Sequence, residues 1–100
     1  MLKEFFLGFI KIHILYHAAE APIYGSEIRE ELARHGYHLS PGTLYPTLHR
    51  LEADGCLESY TRVVKGKVRR YYQATGKGKS VLAHSRRKIR ELVNEVIEDR

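Results

Sequence analysis

The sequence predicts a mostly α-helical chain carrying one small β-hairpin, and three observations predict it. Leu44, Leu48 and Leu51 recur at the i, i+4, i+7 spacing of a single helical face. Two runs rich in Val, Tyr and Thr, Leu57–Val64 and residues 68–74, flank Lys65-Gly66-Lys67 and read as paired strands. Long segments with helical apolar periodicity, residues 1–19 and 75–100, open and close the chain. Two central helices followed at once by a basic hairpin give the order of a winged helix-turn-helix, with N- and C-terminal helices left over for dimerisation.

With 100 residues the chain has room for one core, burying about 60–70% of the surface that its unfolded form exposes. Residues 1–74 read as the winged helix-turn-helix domain including the first helix, and residues 75–100 as a dimerisation helix in the same compact unit. The formal charge of +5 calls for an anionic partner, double-stranded DNA first. Its placement says more than its sum. All eleven charged residues between Tyr60 and Arg90 are basic, so every one of the 12 acids lies outside that block.

The first helix, MLKEFFLGFIKIHILYHAA, is hydrophobic, but Lys3, Glu4, Lys11, His13 and His17 interrupt it too often for a span of about 20 apolar residues. No membrane partner is expected. Leu2, Phe5, Phe6, Phe9, Ile12 and Tyr16 make one stripe, and Leu7, Ile10, Ile14 and Leu15 widen it beyond what a single small domain covers. That surplus points to a homodimer with Phe5, Phe6 and Phe9 at the contact. After the Ala21-Pro22 break, YGSEIREELARHG gives a second helix with Ile28 and Leu32 inward and Glu27, Arg29, Glu30 and Glu31 toward water. Gly36 ends it, and His35 and His38 sit at an exposed corner.

Residues 40–54 form the third helix, with Ser40 as N-cap, Pro41 where a first helical residue tolerates a missing N–H, and Gly55 as the stop. Opposite the leucines lie Gly42, Thr43, Pro46, His49 and Arg50, with Tyr45 on the flank and no carboxylate before Glu52. Small and hydrogen-bonding groups at the front of a helix suit entry into a DNA major groove. Pro46 crowds the Gly42 carbonyl, so the helix is expected to kink there or to start late.

In the hairpin, Tyr72 and Ala74 alternate to the same side as Leu57, leaving Tyr71 outward. Arg62, Lys65, Gly66, Lys67, Arg69, Arg70 and Tyr71 make a cationic wing for phosphates or the minor groove, against the alternative of an edge blunted with Lys to prevent aggregation. Arg69 and Arg70 fall on opposite faces, so only one is expected to reach a partner. Thr75 then caps a last segment that would span up to roughly 38 Å as one helix to Arg100, weakened at its start by Gly76 and Gly78. Leu82, Ile89 and Val96 fall seven apart with Leu92 and Val93 alongside, a seam suited to pairing with a second chain or to packing back on the first helix.

Chemistry is not expected. His13 and His17 stand four apart on a helix, a spacing compatible with a metal, but no glutamate completes an HExxH pattern and one Cys supplies no thiolate set, so no metal or other cofactor is expected. Cys56 follows the helix stop and reads as a small hydrophobe. No catalytic residue stands out, and with no secretion signal at the start the chain reads as cytoplasmic.

The stretch YGSEIREELARHGYHLSPGTLYPTLHRLEADGCLES, followed by GKVRRYYQATGKGK, closely resembles the PadR family of bacterial transcriptional regulators over roughly residues 9–82. Family members carry a YG-E-I start to the second helix, an SPGTLYP-L-RLE recognition segment and a RKYY-LT-G second wing strand. The resemblance implies a winged helix-turn-helix dimer, held by its terminal helices, that binds a dyad-symmetric operator and usually represses. By position it carries Ser40, Gly42, Thr43, Tyr45 and Pro46 into the recognition segment and Lys65, Gly66, Lys67, Arg69, Arg70 and Tyr71 into the wing. Three positions depart from the pattern: Ala74 where leucine or isoleucine is usual, Cys56 after the recognition helix's glycine, and Val68 where proline is common.

With one C-terminal helix, the chain resembles the short branch of the family, without the larger domain that senses phenolic acids. Some short members resemble drug sensors that hold flat aromatics between tryptophans, a mode the lack of Trp argues against. Phe5, Phe6 and Phe9 leave room for a small aromatic or hydrophobic effector. The expected function is thus a homodimeric, sequence-specific DNA-binding regulator, a repressor at a palindromic operator. The alternative is a winged-helix adaptor for proteins that does not itself touch DNA.

Overall fold

The computed structural model describes residues 2–99. Helix α1 (Leu2–Glu20) leads through Pro22 to a two-residue strand, β1 (Ile23–Tyr24); α2 (Gly25–Arg34) and α3 (Pro41–Ala53) follow. The wing is β2 (Leu57–Val64) and β3 (Lys67–Ala74), and α4 (Gly76–Leu92) closes the fold, continued by a π-helical turn over Val93–Ile97. The sheet has three antiparallel strands in the order β1-β3-β2, not the two of the expected hairpin. Ile23 pairs with Tyr72 and Tyr24 with Tyr71. A two-residue strand has no periodicity to read, which is why the sequence hid it.

Pairing in the wing runs from Leu57 opposite Ala74 to Val64 opposite Lys67. The turn is therefore Lys65-Gly66 alone, with φ of 51° and 77°, as a tight hairpin with right-twisted strands requires. Lys67, expected in the turn, is a strand residue.

The core gathers one face from each element: Ile10, Ile14, Leu15 and Ala18 from α1, Ile28 and Leu32 from α2, Leu44, Leu48 and Leu51 from α3, and Leu57, Tyr72 and Ala74 from the wing. On α1 it is the widening stripe that turns inward. The phenylalanine stripe stays largely outside, Phe5 being 54% exposed. Leu82, expected at a dimer seam, is a correction: it is only 4% exposed and belongs to the core of its own subunit. Farther along α4 the seam opens, with Ile89, Leu92 and Val96 exposed. The α-helix expected to reach Arg100 gives way to the π turn after Leu92, and Arg100 itself lies outside the described residues.

Helix α3 neither starts late nor breaks at Pro46. One turn along, the Thr47 hydroxyl donates to the Thr43 carbonyl at 2.8 Å. Ser40 occupies the N-cap position, but its side chain does not cap the backbone; its Oγ donates to the Thr43 hydroxyl at 3.4 Å, while its carbonyl accepts from Thr43 and Leu44. At the other end Gly55 has φ 80°, and the N–H of Cys56 returns to the Leu51 carbonyl.

Gly78 corrects another expectation. The Thr75 hydroxyl accepts from its N–H at 3.0 Å, and a Cβ at Gly78 would collide with the Cys56 carbonyl. This glycine is where α4 seats on the end of α3, not a weak point. Among the described residues no helix is long and apolar enough to cross a membrane.

Candidate nucleic-acid interface

Because the leucine face of α3 is buried, the opposite face is fixed outward. Gly42, Tyr45, Pro46, His49 and Arg50 are exposed and Thr43 is half-buried. Pro46, His49 and Arg50 line a shallow hollow with Ala53 and Asp54. Tyr45 leans the other way, into a groove whose far wall is the wing: Lys67, Val68, Arg69 and Arg70 face it, and Tyr24, Gly25 and Ser26 form its floor. The start of α2, capped by Glu27 on the Tyr24 N–H, thus opens on the same groove as the wing's cations. Lys65 and Gly66 stand apart at the turn, and Arg62 lies opposite Arg69 on the neighbouring strand.

The two arginines of the wing are held differently. Arg69 lies 4.4 Å over the Tyr24 ring, and hydrogen bonding to Tyr71 pushes its pKa further up, so its charge is fixed as well as its place. Arg70 Nη1 donates to Ser59 Oγ at 3.0 Å, and Ser59 Oγ donates to Glu52 Oε2 at 2.7 Å. That chain ties α3 to both wing strands. Both residues line the groove, but their side chains are held by different neighbours, Arg69 by Tyr24 and Arg70 by Ser59.

Tyr71 does not stand free. It stacks on Tyr60 at 5.5 Å between centroids and meets Tyr24 edge-on at the same distance, a row of phenols crossing all three strands. At the wing's tip Val63 and Val68 pair opposite one another, each 71% exposed. Sequence reasoning missed Tyr24, Ser26, Glu52 and Ser59 because their roles come from cross-strand neighbours and not from spacing. The Tyr24-Gly25 pair opening α2 was the one available signal.

The residues expected at a dimer contact divide into two groups. Phe5 and Phe9 of α1 face Ile89 and Leu92 of α4 across an apolar groove floored by Gly8 and Ile12. Phe6 turns toward Tyr37, 6.3 Å between ring centroids, on the opposite flank of α1. Val93 is half-buried and Val96 lies beyond on the π turn. Cys56 is buried and free.

Comparison with known proteins agrees with this fold. The transcriptional regulator PadR-like family matches residues 14–84. The chain is 52% identical over 96 residues to the transcriptional regulator Rv3488 of Mycobacterium tuberculosis, covering 96% of this chain and 90% of that protein. Among solved structures, a PadR family transcriptional regulator from Eggerthella lenta superposes with a TM-score of 0.82 at 33% identity, over 96% of this chain and 85% of that one. A PadR-like transcriptional regulator from Bacillus cereus gives 0.77 at 28% identity, over 90% and 92%. The chain belongs to the PadR-like family: it is a transcriptional regulator of winged-helix fold.

Proposed function

We propose that the chain binds double-stranded DNA as a homodimer and represses transcription from a dyad-symmetric operator. The observation that carries the reading is the shared groove, in which Tyr45 from α3 meets Lys67, Arg69 and Arg70 from the wing. In it a base-edge reader and phosphate-neutralising cations are offered to one ligand, and the carboxylate nearest by on α3, Glu52, is occupied by Ser59. Thr43, Tyr45, Pro46 and His49 face base edges, with Ser40 and Gly42 at the helix front where the backbone comes close. Arg50, Arg62, Lys65, Lys67, Arg69 and Arg70 neutralise phosphates, and Gly66 and Tyr71 shape the wing.

The dimer is supported by the apolar groove of Phe5, Phe9, Ile89 and Leu92, in which all but the half-buried Phe9 are exposed, with Val93 and Val96 farther along the chain and Phe6 exposed on the other flank of α1. In such a dimer the two α3 helices are expected to reach half-sites about one turn, ~34 Å, apart. The test is selection of bound sequences from a random duplex library, followed by salt titration on the winner. An enriched palindrome and a log–log salt slope of roughly −5 to −7 are expected. Binding without salt dependence, or no enrichment, refutes the reading and favours an adaptor that contacts protein.

A further inference from the structure

Three of the six histidines gather at one place. His13 and His17 lie one turn apart on α1, and His35 follows the last residue of α2. One ring nitrogen from each falls within 4.8 Å of the others. The His13 and His35 rings stack, 4.5 Å between centroids and 20° between planes. A carboxylate stands beside them: Glu31 Oε2 is 3.8 Å from His17 Nε2, and its other oxygen is held by Arg34 at 3.1 Å.

Packing alone does not ask for this arrangement. His13 and His17 are half-buried, and His35 is exposed. Protonated together, three imidazoles so close would repel one another. Burial holds the pKa of His13 below the ordinary imidazole value, and His35 and His17 lower it further.

We propose that His13, His17 and His35 form a binding site for a divalent transition cation of the zinc class, with the Glu31 carboxylate on its open side. Three neutral imidazoles are a donor set for Zn2+, Ni2+, Co2+ or Cu2+ and a poor one for Mg2+ or Ca2+. Bonds of about 2.0–2.1 Å would bring ligand nitrogens to about 3.3 Å apart in a tetrahedron. From 4.8 Å that is a matter of small side-chain rotations on a partly open surface. The carboxylate next to His17 repeats the pairing that orients imidazoles at metal sites. Neither helix contains the whole site, so the spacing of His13 and His17 alone could not disclose it.

A cation here ties α1, which carries the exposed phenylalanines, to the end of α2, one short link before α3. Resting on the DNA-binding reading, that placement makes occupancy a means of fixing α3 relative to a second subunit.

The test is calorimetric titration of zinc chloride into the chelator-stripped full chain with Mg2+ in excess. One Zn2+ per chain is expected. His35→Ala, at an exposed position where the fold is expected to hold by circular dichroism, should weaken binding by more than about tenfold, the least lost when even an outer partner of a metal site is removed. His13→Ala and His17→Ala should do the same, Glu31→Gln should weaken it less, and His38→Ala should bind as the parent does. Binding that survives His35→Ala, or that falls equally with His38→Ala, overturns the site. Metal binding as described without any duplex binding would leave the site standing and refute the DNA reading, whereas duplex binding without specific zinc binding refutes the site alone.

Discussion

The phenol of Tyr45 lies across the backbone of Gly25: a Cβ built on that glycine would sit 2.8 Å from the hydroxyl oxygen and 3.0 Å from the ring edge. The first residue of α2 thereby sets where a side chain of α3 points, and Tyr45 remains 41% exposed in the groove it shares with the wing.

Replacing Gly25 by alanine should therefore act on recognition at a distance. The obstacle is the far end of a flexible side chain, so Tyr45 will swing aside and the fold will hold. Stability is expected to change by less than about 1 kcal/mol, since alanine suits a helix better than glycine. Preference for the selected operator over random duplex should fall by about tenfold, as when one base contact is lost, and Tyr45→Ala should match it. Competition binding against random duplex measures both. Equal losses on operator and random DNA would remove Tyr45 from the reading of bases.

The cations of the wing act through phosphates and should show the opposite pattern. Lys65 has φ 51°, a conformation that alanine resists and asparagine tolerates, so Lys65→Asn removes the charge without straining the turn. Lys65→Asn and Lys67→Ala should each weaken operator and random DNA alike. Each should also flatten the salt slope of a dimer by about 2, one phosphate per subunit. A change in sequence preference instead would show that the wing reads bases.

Gly76 and Gly78 stand two residues apart at the start of α4 and should respond in opposite senses to alanine. Nothing lies within 4 Å of a Cβ at Gly76, so Gly76→Ala should stabilise the fold by about 0.5–1 kcal/mol through helix preference. Gly78→Ala drives a methyl into the Cys56 carbonyl and should cost about 2 kcal/mol or more. Urea midpoints with unchanged m-values separate the two.

These contrasts mark where the sequence was legible. The leucine period of α3, the alternation of Tyr72 and Ala74 with Leu57, and the Thr75 cap are local patterns, and each is found in place. What escaped was set between distant segments: β1 against β3, Gly25 under Tyr45, Gly78 against Cys56, the Glu52–Ser59–Arg70 chain, and His35 beside His13. Leu82 shows the same limit from the other side. A seven-residue repeat cannot tell a seam between subunits from a helix whose first turns are buried at home and whose later turns are not.

That last distinction gives the sharpest test of the dimer. Phe5 and Leu92 are each 54% exposed on facing walls of one apolar groove, whereas Leu82, ten residues before Leu92, lies in the core. Phe5→Glu or Leu92→Glu places a charge on the groove without touching the core, so sedimentation should show a folded monomer of unchanged helicity, with the salt slope on DNA cut to about half as phosphate contacts come from one subunit. Leu82→Ala should instead lower stability by about 2–5 kcal/mol through the cavity it leaves, with monomer and dimer affected through folding alone. If Phe5→Glu still sediments as a dimer, the second chain must dock on another face than this groove.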